Sequence, residues 1–90
     1  MNDKVMKYIG KTDCNGKHIC QGDIVEFCKF DDISLKMIGV VEYHSETASF
    51  IINCKSKYEN LKGEYYFKKD RKYTIVGNIF ENPELLEAAN

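Results

Sequence analysis

The sequence predicts a mainly β protein, a small antiparallel and partly open barrel with a short C-terminal helix. Three observations carry that reading. Short β-branched and aromatic runs recur at close spacing: Ile24-Val-Glu-Phe27, Met37-Ile-Gly-Val-Val-Glu-Tyr43, Ala48 to Cys54, and Tyr73-Thr-Ile-Val76. Turn residues separate them, with Asn15-Gly16, Gly22-Asp23 and Gly77-Asn78 the clearest. The single proline, Pro83, follows Asn82 and opens a Glu-Leu-Leu-Glu stretch, the pattern of a helix start.

Taken in order, Val5 to Lys11 reads as a first strand. Thr12 to Lys17 forms a hairpin tip, and Asn15-Gly16 suits a two-residue type I′ turn because both residues tolerate positive φ. In that turn Cys14 pairs with Lys17 and lies on the face opposite His18 and Cys20. Lys17 to Cys20 returns. Ile24 to Cys28 follows, with Val25 and Phe27 toward the core and Ile24, Glu26 and Cys28 away from it. Phe30 to Lys36 is polar and expected to be a loop. Met37 to Tyr43 is the most hydrophobic strand, and Gly39 inside it predicts a bulge or a close backbone approach. His44 to Thr47 turns, and Ala48 to Cys54 places Phe50, Ile52 and Cys54 on one face. Residues 55–72 read as a basic, tyrosine-rich hairpin or loop with a strand near Glu64 to Phe67. Tyr73 to Val76 is the last strand, Gly77-Asn78 turns, and Ile79-Phe80 is expected to complete the core. Asn82 is placed as N-cap, Pro83 at N1, and Glu84 at the positive end of the helix dipole. The Gly-Asp-Ile-Val entry and the glycine-bent strand after it are similar to Src-homology-3-like barrels.

Ninety residues, 43% hydrophobic and 30% charged, suit one globular domain, 1–90. No apolar run approaches the roughly 18 residues of a membrane span. The N-terminus lacks an apolar signal core, so the expected location is the cytoplasm of whatever cell makes the protein. Four cysteines in such a setting are reduced thiols or metal ligands rather than disulfides. The net charge is −1, but residues 55–73 hold seven cations against three acids, a local +4, which leaves −5 on the remainder.

The chemistry-bearing residues form two groups. Cys14, His18, Cys20 and Cys28 have the spacing Cys-x3-His-x-Cys-x7-Cys and residue types that tetrahedral zinc accepts, so a structural zinc ion is the one candidate cofactor. The spacing matches no standard finger, and ordinary reduced cysteines are the competing reading. Lys57, Tyr58, Lys62, Tyr65, Lys68, Lys69, Arg71 and Lys72 are the candidate partner-binding residues. Cations interleaved with aromatics suit single-stranded nucleic acid. Alternatively, the tyrosines alternate into the core while the lysines face water, and a pI of about 6.1 is low for a nucleic-acid binder. A Cys–His pair could serve catalysis, but the sequence supplies no orienting third group and no phosphate-binding glycine loop. The expectation is therefore a non-enzyme.

One frame in the chain resembles a known family. It comprises Tyr8-Ile-Gly, Asp13-x-Asn15-Gly16-Lys17-x-Ile19-x-x-Gly22-Asp23-Ile24-Val25, Gly39-Val40-Val41-Glu42-Tyr43, and Ile75-Val-Gly77-Asn78-Ile79-Phe80-Glu81-Asn82-Pro83-Glu84-Leu85-Leu86. This is similar to the YopX family of phage and prophage proteins, over about residues 8–86. The resemblance implies a β-rich fold and a phage accessory gene, and it implies no reaction. Cys14, His18 and Cys20 depart from the family pattern, which usually has Lys, Glu and an aromatic there, and the comparison with that pattern leads to the expectation that the chain lacks the longer N-terminal segment many members carry. With no catalytic constellation in the sequence, the expected function is a binding module that occupies a host protein. A counter-defence inhibitor such as an anti-CRISPR is one concrete version, its acidic remainder competing for a basic nucleic-acid channel. A nucleic-acid-binding barrel using residues 55–73 is the alternative, and a structural or regulatory phage protein the second alternative.

Overall fold

The computed structural model of the chain describes residues 7–28, 36–55 and 62–88. Seven strands and one helix follow in order: β1 (Tyr8–Thr12), β2 (His18–Cys20), β3 (Asp23–Cys28), β4 (Lys36–His44), β5 (Ser49–Cys54), β6 (Gly63–Tyr66), β7 (Thr74–Asn78) and α1 (Glu84–Ala88). They form two antiparallel sheets, the β1–β2 hairpin and a five-stranded sheet in the order β6-β5-β4-β3-β7. β6 and β7 are its two edges, so the sheet does not close into a barrel. No described helix is long and apolar enough to cross a membrane.

Alternation along the strands builds the main core. Val25 and Phe27 of β3, Met37 and Val41 of β4, and Ile52 and Cys54 of β5 point to one face, where Ile19 of β2 and Tyr73 complete a buried cluster. Ile9, Tyr65, Phe67 and Ile75 pack against its margin. The hairpin thus lies over one face of the larger sheet. Gly39 is needed for close approach: a Cβ there would stand 2.7 Å from the Asn53 carbonyl oxygen across the β4–β5 pair. The register through Gly39 is regular on both sides. The bulge lies instead between β3 and β7, where Ile24 pairs with Gly77 but Val25 pairs with Ile75.

Several expectations need correction. The loop expected over Phe30 to Lys36 lies outside the described residues apart from Lys36, which opens β4. The hairpin tip is not a type I′ turn. The Gly16 N–H donates to the Asp13 carbonyl at 3.0 Å and the Asp13 N–H to the Lys17 carbonyl at 2.8 Å. Of the two residues Asn15 and Gly16, only Gly16 has positive φ, at 83°. This is a three-residue loop ending in a left-handed glycine. Asp13, not Cys14, pairs with Lys17. Its carboxylate collects the N–H groups of Asn15 and Lys17, which favours the longer loop.

Ile24, expected away from the core, is fully buried, with Val40 and Ile51 of the same face also buried. The cover comes from the C-terminal segment. Ile24 pairs with Gly77, and a Cβ on Gly77 would meet Asn82 Oδ1 at 2.6 Å and Leu85 Cδ1 at 2.8 Å. Gly77-Asn78 ends β7 rather than forming a turn. Asn78 Oδ1 accepts the N–H groups of Phe80 (3.0 Å) and Glu81 (2.9 Å) and bends the chain immediately beyond the strand. Ile79 and Phe80 therefore stay 37% and 49% exposed instead of completing the core, Phe80 resting one ring edge over Gly22. Asn82 does not use its side chain as a helix cap. Its Oδ1 accepts the Asn78 N–H at 3.3 Å, while its carbonyl receives the Leu85 N–H at 3.0 Å.

Candidate functional site

The site is built where the hairpin tip meets the start of β7. Asp13 is 6% exposed and makes the joint. One carboxylate oxygen accepts the N–H of Asn15 (2.9 Å) and of Lys17 (2.8 Å), and the other accepts the Ile75 N–H (3.1 Å). The Cys14 N–H adds a backbone bond to the Tyr73 carbonyl at 2.8 Å. Burial alone would raise the Asp13 carboxyl pKa. The N–H groups of Ile75, Lys17 and Asn15 and the Lys17 charge outweigh it and hold the group below its ordinary value. Asp23 behaves in the opposite way. Burial, helped by the charge of Asp13, keeps its carboxyl above the ordinary value although the Cys20 N–H donates to it at 2.7 Å. Burial beside Asp23 also pushes the Cys20 thiol up.

Tyr73 carries the fold information into the basic turn. Its ring is buried between Phe27 and Phe67, with centroids at 5.5 and 4.9 Å. Its hydroxyl accepts the Lys68 N–H at 2.8 Å, and the Arg71 N–H donates to the Lys68 carbonyl at 3.2 Å. A short turn rich in long, solvated side chains is thereby held against the core. Arg71 lays its guanidinium over the Phe27 ring at 5.1 Å, and Lys11 of β1 places its ammonium 5.7 Å from the Phe67 centroid.

Two clefts open on either side of Arg71, which lines both. One, about 530 Å³, has Ile19 and Phe67 as apolar floor and Lys11, Lys68, Lys69 and Arg71 around it, with no carboxylate in its lining. The other, about 460 Å³, is mixed: Lys36, Arg71 and Lys72 stand with Glu26 and Asp70, and Cys14 and Cys28 also line it. Four lysines and arginines around one small apolar floor make a strongly cationic surface on a chain whose net charge is only −1.

The expected partner-binding residues divide accordingly. Lys68, Lys69, Arg71 and Lys72 come together here. Lys62 is exposed beside β6, and Tyr65 turns inward, its ring edge-on to Phe27 at 5.7 Å. Lys57 and Tyr58 lie outside the described residues. Sequence reasoning missed Lys11, Lys36 and Ile19. Lys11 and Lys36 sit on strands remote in sequence from the basic segment, and only the topology brings them near.

The four expected zinc ligands do not converge. Among the described residues no group of three or more His, Cys, Asp and Glu side chains could hold a metal ion. Cys14 and Cys28 line the mixed cleft, the Cys14 thiol sharing a hydrogen bond with the Thr74 hydroxyl at 3.2 Å. His18 instead stacks on Tyr8, with centroids 4.4 Å apart, and the Cys20 thiol lies 3.9 Å from the His18 carbonyl. The donor set therefore does not fit a tetrahedral zinc. His44 faces Thr47 (3.3 Å) and Glu64 (3.7 Å).

No curated protein and no solved structure matches the chain. The family model described as YopX protein matches residues 1–87, which spans the hairpin, the five-stranded sheet and the basic turn alike. This chain belongs to the YopX family.

Proposed function

We propose that the protein is a non-catalytic binding module that occupies an acidic surface of a host protein, with the two clefts around Arg71 as its contact face. The observation that supports it most is the anchored cationic turn. The Tyr73 hydroxyl and the Phe27 ring hold Lys68 and Arg71 in place before any partner arrives, and such preorganisation lowers the entropy lost on binding. Arginine beside an aromatic ring, over an apolar floor and inside a charged rim, is the composition of a protein-binding hot spot.

Among the described residues, the aromatics of the basic segment lend the nucleic-acid reading less support. Single-strand binders need exposed rings next to their cations. Here Tyr65, Phe67 and Tyr73 pack on the core, and Tyr66, 57% exposed, shares the opposite sheet face with its partner Ile51. As a phage or prophage accessory protein, such a module would act by occlusion, covering a working surface of its target. A host defence nuclease as target would make it the counter-defence inhibitor that the family resemblance suggests.

Affinity capture from bacterial lysate, with and without nuclease, tests the reading. A discrete host protein retained after nuclease treatment is the expected result. Retention that vanishes on nuclease treatment would move the function to nucleic-acid binding.

A further inference from the structure

The cationic cleft has a complement on the same chain. Residues 79–90 carry three glutamates and no lysine or arginine. Ile79 and Phe80 are 37% and 49% exposed, and Glu81 and Glu84 are exposed beside them. The bend is held in shape by Asn78, whose Oδ1 takes two N–H groups, and by the Ile79 N–H, which donates to the Gly22 carbonyl at 2.9 Å. The segment therefore presents apolar side chains flanked by carboxylates. The cleft presents an apolar floor of Ile19 and Phe67 flanked by Lys11, Lys68, Lys69 and Arg71. Polarity and charge sign match.

One molecule cannot satisfy both halves. Residues 68–73 lead into β7 and residues 79–84 leave it, so the two surfaces sit at opposite ends of a strand of five residues, about 17 Å long at roughly 3.3 Å per residue. We propose that a second copy of this chain seats its 79–84 segment in the cleft, so that the protein associates head to tail. Two different surfaces meet, so the contact is heterologous and repeats into a ring or an open chain. The net charge of −1 sets little overall repulsion against it. The inference stands apart from the host-protein reading but shares its surface. A seated tail would mask the cleft, and partner and assembly would compete for it.

Light scattering over a dilution series, in low and in high salt, reads the mass of the wild-type protein without any substitution. The expected result is a mass that rises with concentration in low salt and returns to the monomer in high salt. Two charge-reversed forms sharpen it, Lys68→Glu with Lys69→Glu, and Glu81→Lys with Glu84→Lys. All four side chains are exposed, and circular dichroism confirms that each form is folded. Each form alone should be monomeric, because the reversed cleft is left neutral, Lys11 and Arg71 against two glutamates, and the reversed tail meets a cleft of its own sign. An equimolar mixture should form a heterodimer, the native tail of one form seated in the native cleft of the other. A wild-type monomer at every concentration in low salt would overturn the proposal. So would assembly surviving in both reversed forms, a mixture that stays monomeric, or a mass increase abolished by nuclease, which would show nucleic acid bridging the copies.

Discussion

β7 is clamped at both ends by polar side chains, and the two clamps differ in kind. At its start, the buried, ionised Asp13 accepts three backbone N–H groups and joins the hairpin to the sheet. At its end, the neutral and half-exposed Asn78 and Asn82 do the joining, with Asn78 receiving Phe80 and Glu81 and Asn82 receiving Asn78. A charged acceptor sealed from water forms stronger bonds than a neutral one, and its loss leaves backbone donors that water cannot reach easily. A neutral amide at a half-exposed bend can be replaced by solvent. The stiff clamp is the one beneath the cationic clefts, and the soft one carries the acidic, apolar tail.

Substitutions at the two ends should separate accordingly. Asp13→Ala should have the largest effect, a loss of about 3 kcal/mol in urea unfolding, since charge-assisted bonds disappear and the Ile75 N–H is stranded. A loss under about 1 kcal/mol would mean that Asp13 is not the stiff clamp. Acid provides a check on the same residue without substitution. Its folded pKa lies below the unfolded value of about 3.9. The stability it adds is present above that unfolded value and is lost as the pH falls through the folded one. The stability gap between wild type and Asp13→Ala should hold steady from neutral pH to about pH 5 and narrow below about pH 3.9.

Asn78→Ala should cost less, about 1 kcal/mol, and hydrogen exchange should quicken at Phe80 and Glu81 while the Ile75 amide stays protected. Asp23→Asn should be the smallest change, within about 0.5 kcal/mol of wild type at neutral pH. The amide oxygen still accepts the Cys20 N–H, and the substitution removes a carboxylate whose raised pKa marks its ionised form as unfavourable when folded. A large loss at Asp23 and a small one at Asp13 would invert the comparison.

The strands and the family were legible because alternation and turn residues are local signals. Phe27 declared itself inward through Glu26 beside it, and Gly39 announced a close approach that the Asn53 carbonyl confirms. What failed depended on contacts made from far along the chain. Asn15-Gly16 marked the hairpin, but the Asp13 carboxylate, shared with Ile75, decided its turn type. Ile24 read as half of a solvated face because nothing near it signals that Leu85 will come to lie across Gly77. Ile79-Phe80 looked like core by hydrophobicity alone, and the Asn78 side chain bent it outward. In the candidate site, the basic turn was visible as charge density, whereas Lys11 and the apolar floor belong to it only through the hairpin docking on the sheet. The cysteine and histidine spacing suggested one metal site, and the strand geometry sends those side chains to different neighbours.

The measurement that bears most directly on the cleft as the binding face is nuclease-treated affinity capture with three baits: wild type, Lys68→Glu with Lys69→Glu, and Glu81→Lys with Glu84→Lys. The host protein retained by wild type should be retained by the tail-reversed bait and lost by the cleft-reversed one, with circular dichroism showing all three folded. Undiminished capture by the cleft-reversed bait, or loss confined to the tail-reversed one, would contradict the assignment of the contact face to the clefts around Arg71.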